Sequence, residues 1–195
     1  MKNKSRKIRS ITAFLLAVIL IVQSFSGYIG EVKAAGETSI ELSSSGDTVY
    51  LLTKSDCVGN NGLQTGANNY SLSGTTSTRS VEVGNNTYGE TAYTNSSDIS
   101  VFLNGVGIND TQSLTVNSIS SESGYYKLNL SVTADSTISN LIIQANAKVS
   151  LSLTAALTIG SITMAEGSEL TVDAGENTLT ITRGITGSGN VSLKG

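Results

Sequence analysis

The sequence predicts an all-β fold, a parallel β-helix with about 21 residues per coil, and three observations predict it. Apolar residues alternate with polar ones, the alternating segments recur at a fixed spacing, and proline is absent from all 195 residues. The alternation is clearest in Leu128-Asn129-Leu130-Ser131-Val132, Val149-Ser150-Leu151-Ser152-Leu153, Leu170-Thr171-Val172-Asp173-Ala174 and Val191-Ser192-Leu193-Lys194-Gly195. Successive side chains of a strand point to opposite faces, so each segment reads as a half-buried strand with its aliphatics on one side.

The spacing turns strands into an architecture. Leu128, Val149, Leu170 and Val191 lie 21 residues apart, as do Leu130, Leu151, Val172 and Leu193. Ile143, Met164 and Ile185 form a second column at that step, while Ile138, Ile159 and Ile181 step by 21 and then 22. Self-similarity at a fixed period marks repeat architectures. Three short strands and their turns fit into one such repeat, and stacked coils would set equivalent residues about 4.8 Å apart. The missing proline fits, because each coil needs its backbone donors for the next. Turns are expected at Gly160, Gly167, Gly175, Gly184, Gly187 and Gly189, with Asn146 and Asn177. An antiparallel β-sandwich is the alternative that the same alternation permits.

Composition bounds the chemistry. Hydrophobic residues make up 38% of the chain, but with seven Tyr, three Phe and no Trp the core must be built from Val, Ile, Leu and Ala. Absence of histidine and a single cysteine exclude histidine-ligated zinc, histidine-based triads, CxxC redox chemistry and a disulfide within the chain. Cys57 reads as a small buried apolar residue, and no cofactor is expected.

Residues 1–35 read as a signal peptide. Lys2, Lys4, Arg6, Lys7 and Arg9 precede an apolar run from Ile11 to Val22, broken only by Thr12, and the small residues Ala34 and Ala35 mark the cleavage site. A membrane span needs about 18 to 20 apolar residues, so membrane contact is expected only during export and the product is secreted or held at the cell surface. Cleavage after Ala34 leaves six basic residues against fourteen acidic ones, a net charge of −8. Such a surface repels phosphate, so nucleic acid is not an expected partner.

Residues 36–97 read as cap strands and a polar loop region. Ser39–Leu42 and Thr48–Leu52 are expected to pair with each other over the open end of the stack, and Lys54 to Ser97 is expected to be a long loop. Residues 98–195 are the expected coils. Val191-Ser192-Leu193 looks like the start of another coil, so the region is expected to be a truncated gene product, a stretch cut at an arbitrary boundary or the first part of a longer surface protein. Without proline there is no Leu-Pro-x-Thr-Gly anchoring motif.

Phe102-Leu103-Asn104-Gly105-Val106, Leu128-Asn129-Leu130, Gly167-Ser168-Glu169-Leu170-Thr171-Val172 and Asn177-Thr178-Leu179-Thr180-Ile181 resemble the recurring strand phrases of right-handed β-helix regions in secreted and surface proteins of Gram-positive bacteria. The resemblance covers residues 98–195. It implies a right-handed coil and a place among adhesins, carbohydrate-binding proteins or polysaccharide lyases, and the fold alone selects none of these. The basic head and late cleavage site likewise resemble Gram-positive signal peptides.

Hydrolysis of glycosides needs two carboxylates across a cleft, and Asp135, Glu166, Glu169, Asp173 and Glu176 are the available acids, with Lys148 and Arg183 the basic residues near them. Glu169 and Asp173 fall on one outward strand face, where solvated positions of an acidic protein are the expected reading. No calcium-binding loop is present. An enzyme is therefore not expected; the alternative is a polysaccharide lyase or glycoside hydrolase fragment whose catalytic coils lie elsewhere. Exposed aromatic rings can hold flat sugars with few rotors to freeze, which makes Tyr70, Tyr88, Tyr93, Tyr125 and Tyr126 the candidate binding residues. The expected function is a structural or adhesive module that binds extracellular polysaccharide or a surface protein.

Overall fold

The computed structural model describes residues 38–43, 45–51, 69–84, 98–121, 124–125 and 127–194, with the backbone alone at 120, 121, 124 and 125. The segment expected to be a signal peptide, with Ala34 and Ala35, and Cys57 lie outside the described residues. Fifteen strands and no helix occur among those described: β1 (Thr38–Leu42), β2 (Val49–Leu51), β3 (Asn69–Thr76), β4 (Val81–Val83), β5 (Ile99–Val116), β6 (Ser120–Ser121), β7 (Gly124–Tyr125), β8 (Lys127–Ala134), β9 (Ser136–Ile143), β10 (Lys148–Leu153), β11 (Leu157–Met164), β12 (Glu169–Asp173), β13 (Leu179–Ile181), β14 (Ile185–Gly187) and β15 (Asn190–Lys194).

Thirteen of these strands form one curled sheet in which every pairing is parallel. Only β6 and β7, outside that sheet, pair antiparallel among the described residues. The antiparallel sandwich is therefore not what the alternation builds, because a chain that returns in the same direction at each repeat can pair only in parallel. β8, β10, β12 and β15 lie side by side with Leu128, Val149, Leu170 and Val191 in register, and with Leu130, Leu151, Val172 and Leu193 in register. Across β9, β11 and β13, Ile138, Ile159 and Ile181 are likewise aligned.

The bend of the sheet is made within β5. Its first part pairs with β3 and β8 and its second part with β4 and β9, with a register shift after Leu103 and a positive φ of 69° at Gly105. One strand thus contributes to two stretches of the sheet, and the aliphatic faces of both turn toward a shared interior. That core runs from Leu42 and Leu51 through Leu72, Val83, Leu103, Leu114, Leu130, Leu141, Leu151 and Ile159 to Val172. Full burial of each large aliphatic contributes about 1.5–3 kcal/mol. The few buried polar residues sit mostly at corners; Ser136 and Ser168 are bonded there, while the Oδ1 of Asn117 has no hydrogen-bond partner among the described residues. Ser136 Oγ donates to Ala134 O (2.7 Å) and accepts from Val106 N (3.0 Å), and Ser168 Oγ donates to Ala165 O (2.7 Å).

Upstream the architecture departs from the expectation. β1 and β2 form, but not with each other: β1 pairs with β3 and β2 with β4. They extend the parallel sheet rather than fold over its end, because both carry inward aliphatics in phase with the strands beside them. β3 and β4 lie inside the stretch expected to be a loop, so among the described residues the sheet extends back to Thr38 rather than starting near Asp98. In the second column, Met164 aligns with Ile143 as expected, but opposite Met164 on the other side stands Gly187, and Ile185 aligns with Ile162. The passage from β12 to β13 is one residue longer than that from β10 to β11, and the passage to β14 adds another. The short turn Gly187-Ser188-Gly189 then removes two, which restores the step at β15.

Gly160 is also not a turn residue. It is buried within β11, and a Cβ there would collide with Ser139 O and with the Arg183 guanidinium. At the corner after β11, by contrast, Gly167 takes φ +72° and stacks on Asn146 at φ +60°, so the left-handed position recurs at one repeat's distance.

Candidate functional site

The outer surface of this sheet is where chemistry would take place, and alternation decides what it carries. On β8, β10, β12 and β15 the outward rows are Asn129, Ser150, Thr171 and Ser192, then Ser131, Ser152, Asp173 and Lys194, then Lys127, Lys148, Glu169 and Asn190. On β9, β11 and β13 the row is Thr137, Thr158 and Thr180; farther along, on β9, β11 and β14, it is Ile142, Thr163 and Thr186, with Thr115, Glu82 and Tyr50 upstream. Parallel pairing fixes the spacing along each row at about 4.8 Å. Short polar side chains held this way form an array of donors and acceptors with few rotors left to order.

A hydrogen-bonded seam runs between the Thr rows. Ser80 Oγ donates to Gln112 Oε1 (3.0 Å), Asn140 Nδ2 to Gln112 O (2.9 Å) and Ser161 Oγ to Asn140 Oδ1 (2.9 Å). Arg183 crosses β11 and donates from Nη2 to Ser139 O (2.7 Å) and to Asn140 Oδ1 (3.0 Å). The missing side chain of Gly160 makes the room through which the guanidinium lies.

The acidic residues weighed for catalysis are exposed, and Glu169 and Asp135 are engaged separately. Lys148 Nζ pairs with Glu169 Oε1 at 3.1 Å across one repeat, and Asp173 aligns with Lys194. Asp135 Oδ1 accepts from Ala156 N at 3.0 Å, which ties one corner to the next. No group of three or more His, Cys, Asp or Glu side chains that could hold a metal ion occurs among the described residues.

Of the five candidate tyrosines, the side chain of Tyr70 alone lies among the described residues. Tyr70, expected to offer its ring outward, is only 5% exposed and is part of the core, aligned with Val101 in β5 and Thr38 in β1. Its burial follows from alternation, since Tyr70, Leu72 and Thr76 share the inner face of β3. Tyr125 lies in β7 opposite Ser120, and Tyr88, Tyr93 and Tyr126 lie outside the described residues. Among the described aromatics Tyr50 is the exposed one, at 44%, aligned with Glu82. Sequence reasoning missed it, although a tyrosine between Val49 and Leu51 has to face away from them, and that signal was available.

No protein-family model matches this chain, and neither a curated protein nor a solved structure is detectably similar to it.

Proposed function

We propose that the chain is an exported module whose sheet winds as a right-handed parallel β-helix, and that it serves a structural and adhesive role outside the cell or at its surface. The observation that carries this reading is the parallel alignment of repeats in two separate strand sets, β8-β10-β12-β15 and β9-β11-β13. A chain that winds around one core meets both alignments at once. Handedness follows from the strong preference of parallel crossovers for the right hand. The basic head, apolar run and small residues up to Ala35 support export.

Adhesion is the role that the outer surface suits. Rows of Ser, Thr and Asn at fixed spacing complement the hydroxyls of an extracellular polysaccharide or the polar backbone edge of a surface protein, and the ring of Tyr50 adds an apolar face. The acidic charge disfavours nucleic acid. No helix among the described residues is long and apolar enough to cross a membrane. Binding of the purified chain to insoluble polysaccharides and to a glycan array tests the reading. Retention that drops several-fold on Tyr50→Ala is expected. Release of unsaturated or reducing sugars would overturn the reading in favour of a polysaccharide-degrading enzyme.

A further inference from the structure

We propose that the Arg183 guanidinium is a receptor on the outer surface for a carboxylate of an acidic extracellular polysaccharide; this rests on the adhesive reading and adds the chemistry of its ligand. Charge is spread unevenly over that surface. The strand set β8, β10, β12 and β15 carries Lys127, Lys148, Glu169, Asp173 and Lys194, and there bases stand beside acids: Lys148 is bonded to Glu169 and Lys194 is aligned with Asp173. Across β9, β11, β13, β14 and the turn between the last two, residues 136–143, 157–164 and 179–187, the only charged side chain is Arg183. No carboxylate is paired with it among the described residues.

The fold holds this cation in place. Nη2 donates to Ser139 O (2.7 Å) and Asn140 Oδ1 (3.0 Å), and Asn140 is itself held, its Nδ2 bonded to Gln112 O and its Oδ1 also accepting from Ser161 Oγ. The guanidinium lies where Gly160 has no side chain, so even a methyl group there would collide with it. A guanidinium has five N–H donors and stays protonated at any physiological pH. The two on Nη2 are used. Nε–H and both N–H groups of Nη1 have no acceptor among the described residues, and Arg183 is exposed. A long cationic side chain normally loses rotamer freedom when it binds a partner. Here folding has already restricted it, and three donors remain for a ligand.

The surroundings select the occupant. Thr158 is aligned with Thr180 on one side of this cation along the strands, and Thr163 with Thr186 on the other. Sugar hydroxyls find donors and acceptors in those rows, and the carboxylate of an acidic sugar finds the guanidinium, in a charge-assisted hydrogen bond roughly twice as strong as a neutral one. The chain as a whole is acidic, with Asp and Glu numbering 15 against 12 Lys and Arg. A densely sulfated polymer lays its charges along the whole surface and meets those acids. A sparsely charged one sets a single carboxylate at Arg183, and acids beyond about 8 Å are screened at physiological salt.

The test presents the full chain with three forms of one glucan: dextran, lightly carboxymethylated dextran and dextran sulfate. The carboxymethylated form is expected to bind at least about fivefold more tightly than dextran, with an advantage that shrinks as salt is added. Arg183→Gln should bring its affinity down to that of dextran and leave dextran itself unaffected. If Arg183 only clamps the strands, Arg183→Gln lowers the thermal midpoint and keeps the ratio of the two affinities, which overturns the proposal. That ratio on the parent chain needs no variant, and equal affinity for dextran and its carboxymethylated form overturns the proposal even where Arg183→Gln does not fold. Tightest binding of dextran sulfate, lost in Arg183→Gln, would overturn the choice of a carboxylate. In each of these failures glycan-array binding by the parent chain leaves the adhesive reading standing, whereas a chain that holds none of the three polymers and no glycan on the array overturns both.

Discussion

Leu151 and Leu193 are the same residue type in the same column of the sheet, yet Leu151 is fully buried and Leu193 is 73% exposed. Both point to the inner side of their strands, in identical polar-apolar contexts: Ser150-Leu151-Ser152 and Ser192-Leu193-Lys194. The difference lies in their neighbours, since β10 is flanked by β8 and β12 while β15, among the described residues, has β12 alone. In this fold a residue's sequence sets only which way it points. Its burial is conferred by the strand beside it.

The sharpest way to break that comparison is truncation at the buried site. Leu151→Ala should lower the unfolding free energy by about 2–5 kcal/mol, the cost of lost transfer energy plus a residual cavity, measured by urea denaturation. A loss under about 1 kcal/mol would mean that the middle of the stack is loosely packed. Gly160→Ala should come next, at about 1–3 kcal/mol from overpacking against Ser139 O and Arg183. If it is instead neutral in thermal melts, Arg183 is free to swing out and the seam does not hold the outer strands. Lys148→Ala removes an ion pair whose side chains are 41% and 51% exposed, so denaturation in low salt should show a change of about 0.2–1 kcal/mol that fades as salt is added. The smallest effect is expected at the edge. Leu193→Ala, in dilute protein, should stay within about 0.5 kcal/mol of the parent; a loss comparable to that at position 151 would show that something covers the edge.

The downstream half of the fold was legible because its strands are regular and its repeat nearly constant. Every pairing among β8, β10, β12 and β15 follows the spacing of the aliphatics. Upstream, the steps between aligned residues are unequal, from Thr38 to Tyr70, then to Val101, then to Leu130, so no period shows although the strands still stack. β3 was hidden further by what it buries: Thr76 is fully enclosed, its Oγ1 accepting from Arg79 N at 3.1 Å, and Gly74 interrupts the alternation. β4 has only three residues, Val81 to Val83, too few for a pattern to stand out. The misplaced Ile185 has a different cause. Two added residues and two missing ones cancel within a single repeat, and a fixed 21-residue count cannot see changes that cancel.

The candidate surface was less legible than the fold. Which positions face outward followed from alternation, as Glu169 and Asp173 show. Which aromatic would stand among them did not, since Tyr70 lies in a strand that had gone unrecognised and its ring faces the interior.

The compensated lengths around β13 and β14 have a wider consequence. Within a strand, one extra residue would send every later side chain to the wrong side. At a bend, the same residue bulges outward and the next strand starts afresh in its proper alignment. Mistakes of length therefore do not accumulate along this molecule, and insertions should be accommodated at its bends while the straight segments between them tolerate none.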